Sequence, residues 1–233
     1  MHRRLRQSFA VLDLRDRGSA VVTLVSDLPS SARQHFVGID NVQAGRTAAS
    51  LLGRFCRWRS GRIALVAGSM LVRDHVERTL GFEQVMREEF PDQSLSTVIE
   101  GLDDQDIVAE RLTEALAADP DIVGIYSFGA GNRGVARAIS TLPAKRRPSV
   151  VVHELTKCSR DALIEDVFDA VIHQDEVREI EVALRTLRAL ADRVQTIDAG
   201  ERALFRKEVE AETSHFPGRT YPTGSVTGMP SAV

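Results

Sequence analysis

The sequence predicts an α/β fold organised around mainly parallel sheet. Three observations carry that expectation. Short runs rich in β-branched residues recur along the chain, and longer segments with apolar residues at helical spacing separate them. Those segments are long enough to act as crossovers, and strands joined in this way pair in parallel through right-handed connections. The size also fits: 233 residues, 43% hydrophobic and 27% charged, suit one large domain or two small ones and are too apolar for a disordered chain.

The elements follow in order. Residues 20–25, centred on Val21, Val22 and Thr23, read as a buried strand. Residues 45–58 carry Ala48, Leu51, Leu52 and Phe55 at helical spacing. Residues 62–67 form a second strand, with Gly68 and Ser69 as the turn after it. A helix over 77–90 buries Leu80, Val85, Met86 and Phe90, and Pro91-Asp92 ends it. Residues 95–99 read as one strand, and 103–118 as a helix with Ile107, Leu112 and Leu116 inward, stopped by Asp119-Pro120. A strand over 122–126 leads through the glycine-rich turn at 129–134 into a helix ending near Ile139. Then come a strand at 149–153, a short helix at 159–164, a strand at 168–172 and a helix at 177–191. The last 21 residues, from Thr213, hold 13 Pro, Gly, Ser or Thr and no apolar period, so 213–233 is expected to be a disordered tail.

Charge and composition exclude several classes. The net charge is −3, so no basic field is present to hold nucleic acid or anionic membrane by itself. Of the 30 basic residues 27 are arginine, which reads as genomic base composition before any chemistry. Cys56 and Cys158 lie far apart and outside any C-x-x-C spacing, which disfavours a zinc site or a disulfide framework and permits a reducing cytoplasm. The longest apolar runs, such as residues 63–67, are too short to span a bilayer. The basic N-terminus lacks the apolar core of a signal peptide, so a cytoplasmic location is expected.

Several strings together resemble a known family. They are Val21-Val22-Thr23-Leu24-Val25-Ser26-Asp27; Phe36-Val37-Gly38-Ile39-Asp40-Asn41 with Ala44-Gly45; Glu77-Arg78-Thr79-Leu80-Gly81-Phe82; Gly129-Ala130-Gly131-Asn132; His153-Glu154-Leu155-Thr156; and Ile172-His173-Gln174-Asp175. Their order, spacing and placement at strand ends resemble the effector-binding core of LacI/GalR-type transcriptional regulators, across about residues 1–190. The fold of that core is similar to that of periplasmic sugar-binding proteins. The resemblance implies two Rossmann-like subdomains of periplasmic-binding-protein type I architecture, facing each other across a cleft. The chain crosses between them three times. Carried over, the first subdomain is 1–58 plus about 175–200 and the second about 59–174 plus 201–212, where residues 204–209 supply a closing strand. In the family a DNA-binding helix-turn-helix precedes the core, and two βα units precede the strand seen here at Ala20. Both are missing, so the first subdomain is expected to be truncated.

The same resemblance nominates site residues, and each also has an ordinary structural reading. Arg78 matches the family's effector-binding arginine; a guanidinium fork suits paired hydroxyls or a carboxylate, but a surface helix arginine looks the same in sequence. Glu154 follows a strand where the family commonly has aspartate, and a carboxylate there accepts two hydroxyl hydrogen bonds; it is equally placed to face a helix dipole. Gln174 follows the 168–172 strand and offers donor and acceptor, or a cap or hinge role. Asp40 and Asn41 precede a helix and suit N-capping, and the family puts Asp40's position at the cleft edge. Asp27, next to Ser26, ends the first strand and points towards the cleft. Ser127 stands near where the family often uses an asparagine, and Asn132 is placed to substitute for it.

The remaining chemistry is bland. His153 and His173 have no metal-ligand partner at helical spacing. The glycine turn at 129–134 matches G-x-G-x-x-G by letter but follows a third strand and has no acidic ribose partner, so it is not a dinucleotide fingerprint. Nothing forms a nucleophile elbow or a phosphate loop. The expectation is therefore a non-enzymatic sensor without a cofactor, binding a sugar-like effector. Operator DNA would be reached only through the head absent from this chain, and the family pattern implies a homodimer. The alternative is a periplasmic-type sugar-binding protein of a transporter.

Overall fold

The computed structural model describes residues 2–192 except Pro29. The expected closing strand at 204–209 and the tail at 213–233 lie outside the described residues. Two units of unequal size make up the rest.

The larger unit is an all-parallel sheet. Its strands are β3 (Gly61–Ala67), β4 (Gln93–Leu95), β5 (Ile99–Glu100), β6 (Ile122–Ser127), β7 (Ser149–His153) and β8 (Ala170–Ile172). They lie in the order β4-β3-β6-β7-β8, with β5 also on β3. β3 and β6 are central and buried on both faces. That explains why Ile63–Ala67 and Ile122–Ser127 are continuous apolar runs rather than alternating ones.

Each face has its own core. Ile63, Leu65, Tyr126 and Val151 point to one side, where they meet Ala48 and Leu52 of helix α2 (Asn41–Phe55) and Phe82, Val85 and Met86 of α3 (Arg73–Glu89). Ala64, Val66, Ile125 and Val152 point to the other. There they meet α4 (Gln105–Ala118), α5 (Asn132–Ser140) and α6 (Lys157–Ile164) through Leu112, Ile139 and Ala162. Caps fix where several of these helices begin: Asp40 accepts from the Gln43 N–H at 3.0 Å, Asp104 from the Asp106 N–H at 2.8 Å, and Thr156 from the Ser159 N–H at 3.2 Å.

The smaller unit holds α1 (His2–Asp16), the strands β1 (Val22–Leu24) and β2 (His35–Val37), and α7 (Glu176–Ala191). β1 and β2 pair in parallel, and α7 covers them through Val182 and Ala183 against Val37. Asp175 caps α7 by accepting from the Arg178 N–H at 2.9 Å.

Three expectations need correction. β2 was not foreseen, because three residues from His35 to Val37 give no readable period. The expected strand at 95–99 is split: the chain leaves the edge of β3 after Leu95 and rejoins it at Ile99. Finally, α2 belongs with the larger sheet, not with the first unit as a boundary at 58/59 implies. Its buried face of Ala48, Ala49, Leu52 and Cys56 is part of the large core. The two helices α2 and α3 also touch through glycines. A Cβ on Gly45 would stand 2.0 Å from the Arg78 carbonyl oxygen, and one on Gly81 2.0 Å from that of Val42.

Candidate functional site

The sheet order itself points to a crevice. From β3 the chain goes out to β4 and β5 on one side, then crosses to β6 on the other. Between the carboxyl ends of β3 and β6 the winding therefore reverses, and open parallel sheets bind ligands at such a point. The loops leaving the two strands press together there: a Cβ on Gly129 would lie 2.1 Å from the Gly68 backbone nitrogen.

Arg78 reaches this point from α3. It is buried, at 8% exposure. Its Nε donates to Asn41 Oδ1 at 2.8 Å and its Nη1 to the Phe128 carbonyl at 3.0 Å. Both acceptors are neutral, so these contacts orient the guanidinium without cancelling its charge, and they use two of its five N–H groups. Beneath it lies an aromatic stack of Phe82, Tyr126 and Phe128, with His75 edge-on to Phe128. Tyr126 Oη and His153 Nε2 are 2.8 Å apart. Burial, with the Arg78 charge beside it, holds His153 well below the usual histidine range, so it is neutral. Burial lowers His75 as well, against a raising contribution from its bond to the Ser69 backbone.

A run of polar contacts follows the carboxyl ends of β6, β7 and β8. Ser127 Oγ donates to Asn132 Oδ1 at 2.9 Å, and Asn132 Nδ2 donates to the His153 carbonyl at 2.7 Å. Glu154 comes next, in the left-handed region at φ 69°, with its N–H bonded to the Ile172 carbonyl at 2.9 Å. The Gln174 amide donates to the Glu154 carboxylate. Five of the seven nominated residues, Arg78, Ser127, Asn132, Glu154 and Gln174, are thus brought to one set of strand ends.

The other two have local partners. Asp40 caps α2, as described above. Asp27 pairs with Arg33, whose Nη2 donates to Asp27 Oδ2 at 2.6 Å, and also accepts from Thr23. Burial pushes the Asp27 carboxyl up, but the bonds to and charge of Arg33 outweigh it and hold the group below its usual value. Next to it, Ser26 donates to Asp74 at the start of α3, which links the smaller unit to the larger one.

Three residues of interest were not nominated. Asn41 orients Arg78, and nothing in a helix-cap pattern foretells a partner 37 positions away. Asp74 is buried although it sits in the first turn of a helix, where an acid ordinarily faces solvent. Glu179 did leave a signal: it stands three, four and seven residues before Val182, Ala183 and Thr186, the buried stripe of α7. Both its carboxylate oxygens are buried without a partner. Burial, then the charges of Glu154, Glu176 and Asp175, push it up to about 7. Among the described residues no group of three His, Cys, Asp or Glu is placed to hold a metal ion, and no helix is long and apolar enough to cross a membrane.

Comparison with known proteins agrees with this architecture. A family model described as a periplasmic binding protein domain matches residues 10–194. Among solved structures, the glucose-galactose binding protein GanP from Geobacillus stearothermophilus superposes with a TM-score of 0.75 at 21% identity, over 82% of this chain and 68% of its own. The arabinose binding protein AraP from the same organism gives 0.72 at 25% identity, over 81% and 64%. A transporter solute binding protein from Agrobacterium vitis, with bound D-fucose, gives 0.73 at 20% identity, over 81% and 66%. The chain therefore spans about two thirds of the length of these structures. No curated protein matches it in sequence. With most of its length covered by the family model and the doubly wound parallel sheet in place, the chain belongs to the periplasmic binding protein domain family.

Proposed function

We propose that this chain binds a small polyhydroxylated molecule, a sugar or sugar derivative, at the carboxyl ends of β3, β6, β7 and β8, without transforming it. The observation that carries the reading is Arg78: a buried guanidinium, oriented by an amide and a carbonyl, set beside a run of polar side chains at a topological switch point. Hydroxyls both donate and accept, so a polyol suits a site that presents a cation, amides and a carboxylate together. The sugar-binding relatives support the same class. The smaller unit would close over the ligand from the Ser26 side.

The relatives favour a sugar-binding domain of transporter type. A second reading has its own observation: the strings around Arg78, His153-Glu154-Leu155-Thr156 and Gln174 resemble the effector core of LacI/GalR-type regulators. In that reading the domain works in the cytoplasm as a dimer and governs DNA binding by a separate head. Fractionation of cells expressing an epitope-tagged copy from its own locus separates the two. Release with the periplasm supports the transporter reading, and retention with the nucleoid supports the regulator.

Titration calorimetry tests the ligand class, using D-glucose, D-galactose, D-arabinose and D-fucose against amino acids and nucleotides. At least one sugar should bind and be recovered unchanged. Arg78→Ala should weaken it about tenfold to a hundredfold, the range for losing a charged hydrogen-bond donor. Binding of an amino acid or nucleotide and of no sugar would overturn the proposal.

A further inference from the structure

At the crossover from β8 into α7, three buried oxygens lack a donor. Gln174 is only 4% exposed; its Nε2 is spent on Glu154, and its Oε1 has no partner. Glu179 has neither of its two carboxylate oxygens satisfied. Because the oxygen and nitrogen of one amide are neighbours, the unmet Gln174 oxygen sits beside the Glu154 contact. The charges acting on Glu179 come from Glu154, Glu176 and Asp175, all acidic. An unpaired buried carboxylate is among the costliest groups a fold can carry, and acidic neighbours make it costlier. The arrangement calls for a cation that brings N–H donors.

Building on the polyol site above, we propose that this crossover receives the ammonium group of an amine-bearing ligand, an amino sugar or amino polyol, with Glu179 and Gln174 as its acceptors. An ammonium offers three donors from one compact charge, and three oxygens are unmet here. The hydroxyls of the same ligand would face Arg78, Asn132 and Glu154. In the empty site Glu179, held at about 7, carries a proton part of the time. An arriving ammonium favours the ionised carboxylate, so binding should expel that proton.

Calorimetry on the whole chain and on Glu179→Gln tests this with matched pairs: D-glucosamine against D-glucose, D-galactosamine against D-galactose, and D-glucamine against D-glucitol. Two buffers of different ionisation enthalpy at pH 7 count the protons. In at least one pair the amine should bind about tenfold or more tightly than its neutral partner. D-glucamine, fully protonated at that pH, should release about half a proton on binding, since Glu179 is then near half-ionised. Both effects should vanish in Glu179→Gln, a neutral isostere. Neutral members binding as well as or better than their amines in every pair would overturn the inference and leave the sugar site standing. An amine preference that survives in Glu179→Gln would overturn the assignment to this crossover. Failure of every member of every pair would overturn the inference, and the polyol site would fall with it only if D-arabinose and D-fucose also fail to bind.

Discussion

The two units bury their apolar residues on very different scales. The larger sheet has a closed core on each face, and every residue of β6 is buried. The smaller unit's core is Val37, Val182 and Ala183, with Val22 packed against them, while Leu24 and Val25 at the end of its first strand are exposed. The difference separates two jobs. The residues proposed to hold the ligand on this side, Arg78, Asn132 and Glu154, stand on the unit with the deep core. The smaller unit touches the proposed site through Ser26 against Asp74 and through Glu179 on α7, and its thin core suits a part that moves.

Core substitutions break that comparison most sharply. Phe82 is fully buried and stacked on Tyr126 at 4.6 Å between ring centroids. Phe82→Ala should cost about 3–5 kcal/mol in urea denaturation. Val182→Ala, a two-carbon cut in the smaller core, should cost only about 1.6 kcal/mol at about 0.8 per methylene, less than the same two-carbon cut at Val85 in the larger core, where a cavity adds to it. Equal losses would mean that the two units form one cooperative core.

The next effect is mid-sized and reaches the site. Gly81→Ala puts a methyl against the Val42 carbonyl, so α2 and α3 must separate. Overpacking of this kind costs about 1–3 kcal/mol. Because Asn41 on α2 holds Arg78 on α3, sugar affinity should fall along with the melting temperature. A variant that loses stability but binds sugar as before would uncouple the helix contact from the guanidinium.

The last effect is a slope with pH. Glu179 is held at about 7, above the 4.5 of an ordinary glutamate, so between those values the folded chain keeps a proton that the unfolded chain has lost. Stability from this group therefore falls as pH rises from about 4.5 to about 7, then levels off. Glu179→Gln should remove that fall, and its advantage over the parent should grow across the same window. His75 and His153, both held below the ordinary 6.5, act in the opposite sense: their contribution is lost as pH falls through 6.5. They are common to both proteins, so the difference isolates Glu179. A constant difference from acid to neutral pH would contradict its assigned environment.

Much of this organisation was readable in sequence, for local reasons. The runs at 62–67, 122–126 and 149–153 are strands because they are apolar and flanked by turns, and Asp40 announces its helix by capping it. What was not readable depends on distant partners. The periodicity of α2 shows a buried face but not which sheet receives it; Gly45 and Gly81 decide that by meeting Arg78 and Val42. The site shows the same split. A motif marks Arg78, but its orientation rests on Asn41 and the Phe128 carbonyl, 50 residues on. Glu179 shares the buried stripe of α7 but was not nominated, because a helix rich in charge hides one inward member.

Hydrogen exchange with and without the tightest-binding sugar reads directly where the ligand sits. Without sugar, Ile63–Ala67 and Ile122–Ser127 should exchange far more slowly than Val22–Leu24. With sugar, protection should rise at the strand ends, residues 127–132, 153–156 and 172–179, and also in the smaller unit as it closes. Protection gained only elsewhere, for example in the 370 Å³ groove that Arg133, Lys157 and Cys158 line between α5 and α6, would contradict the site.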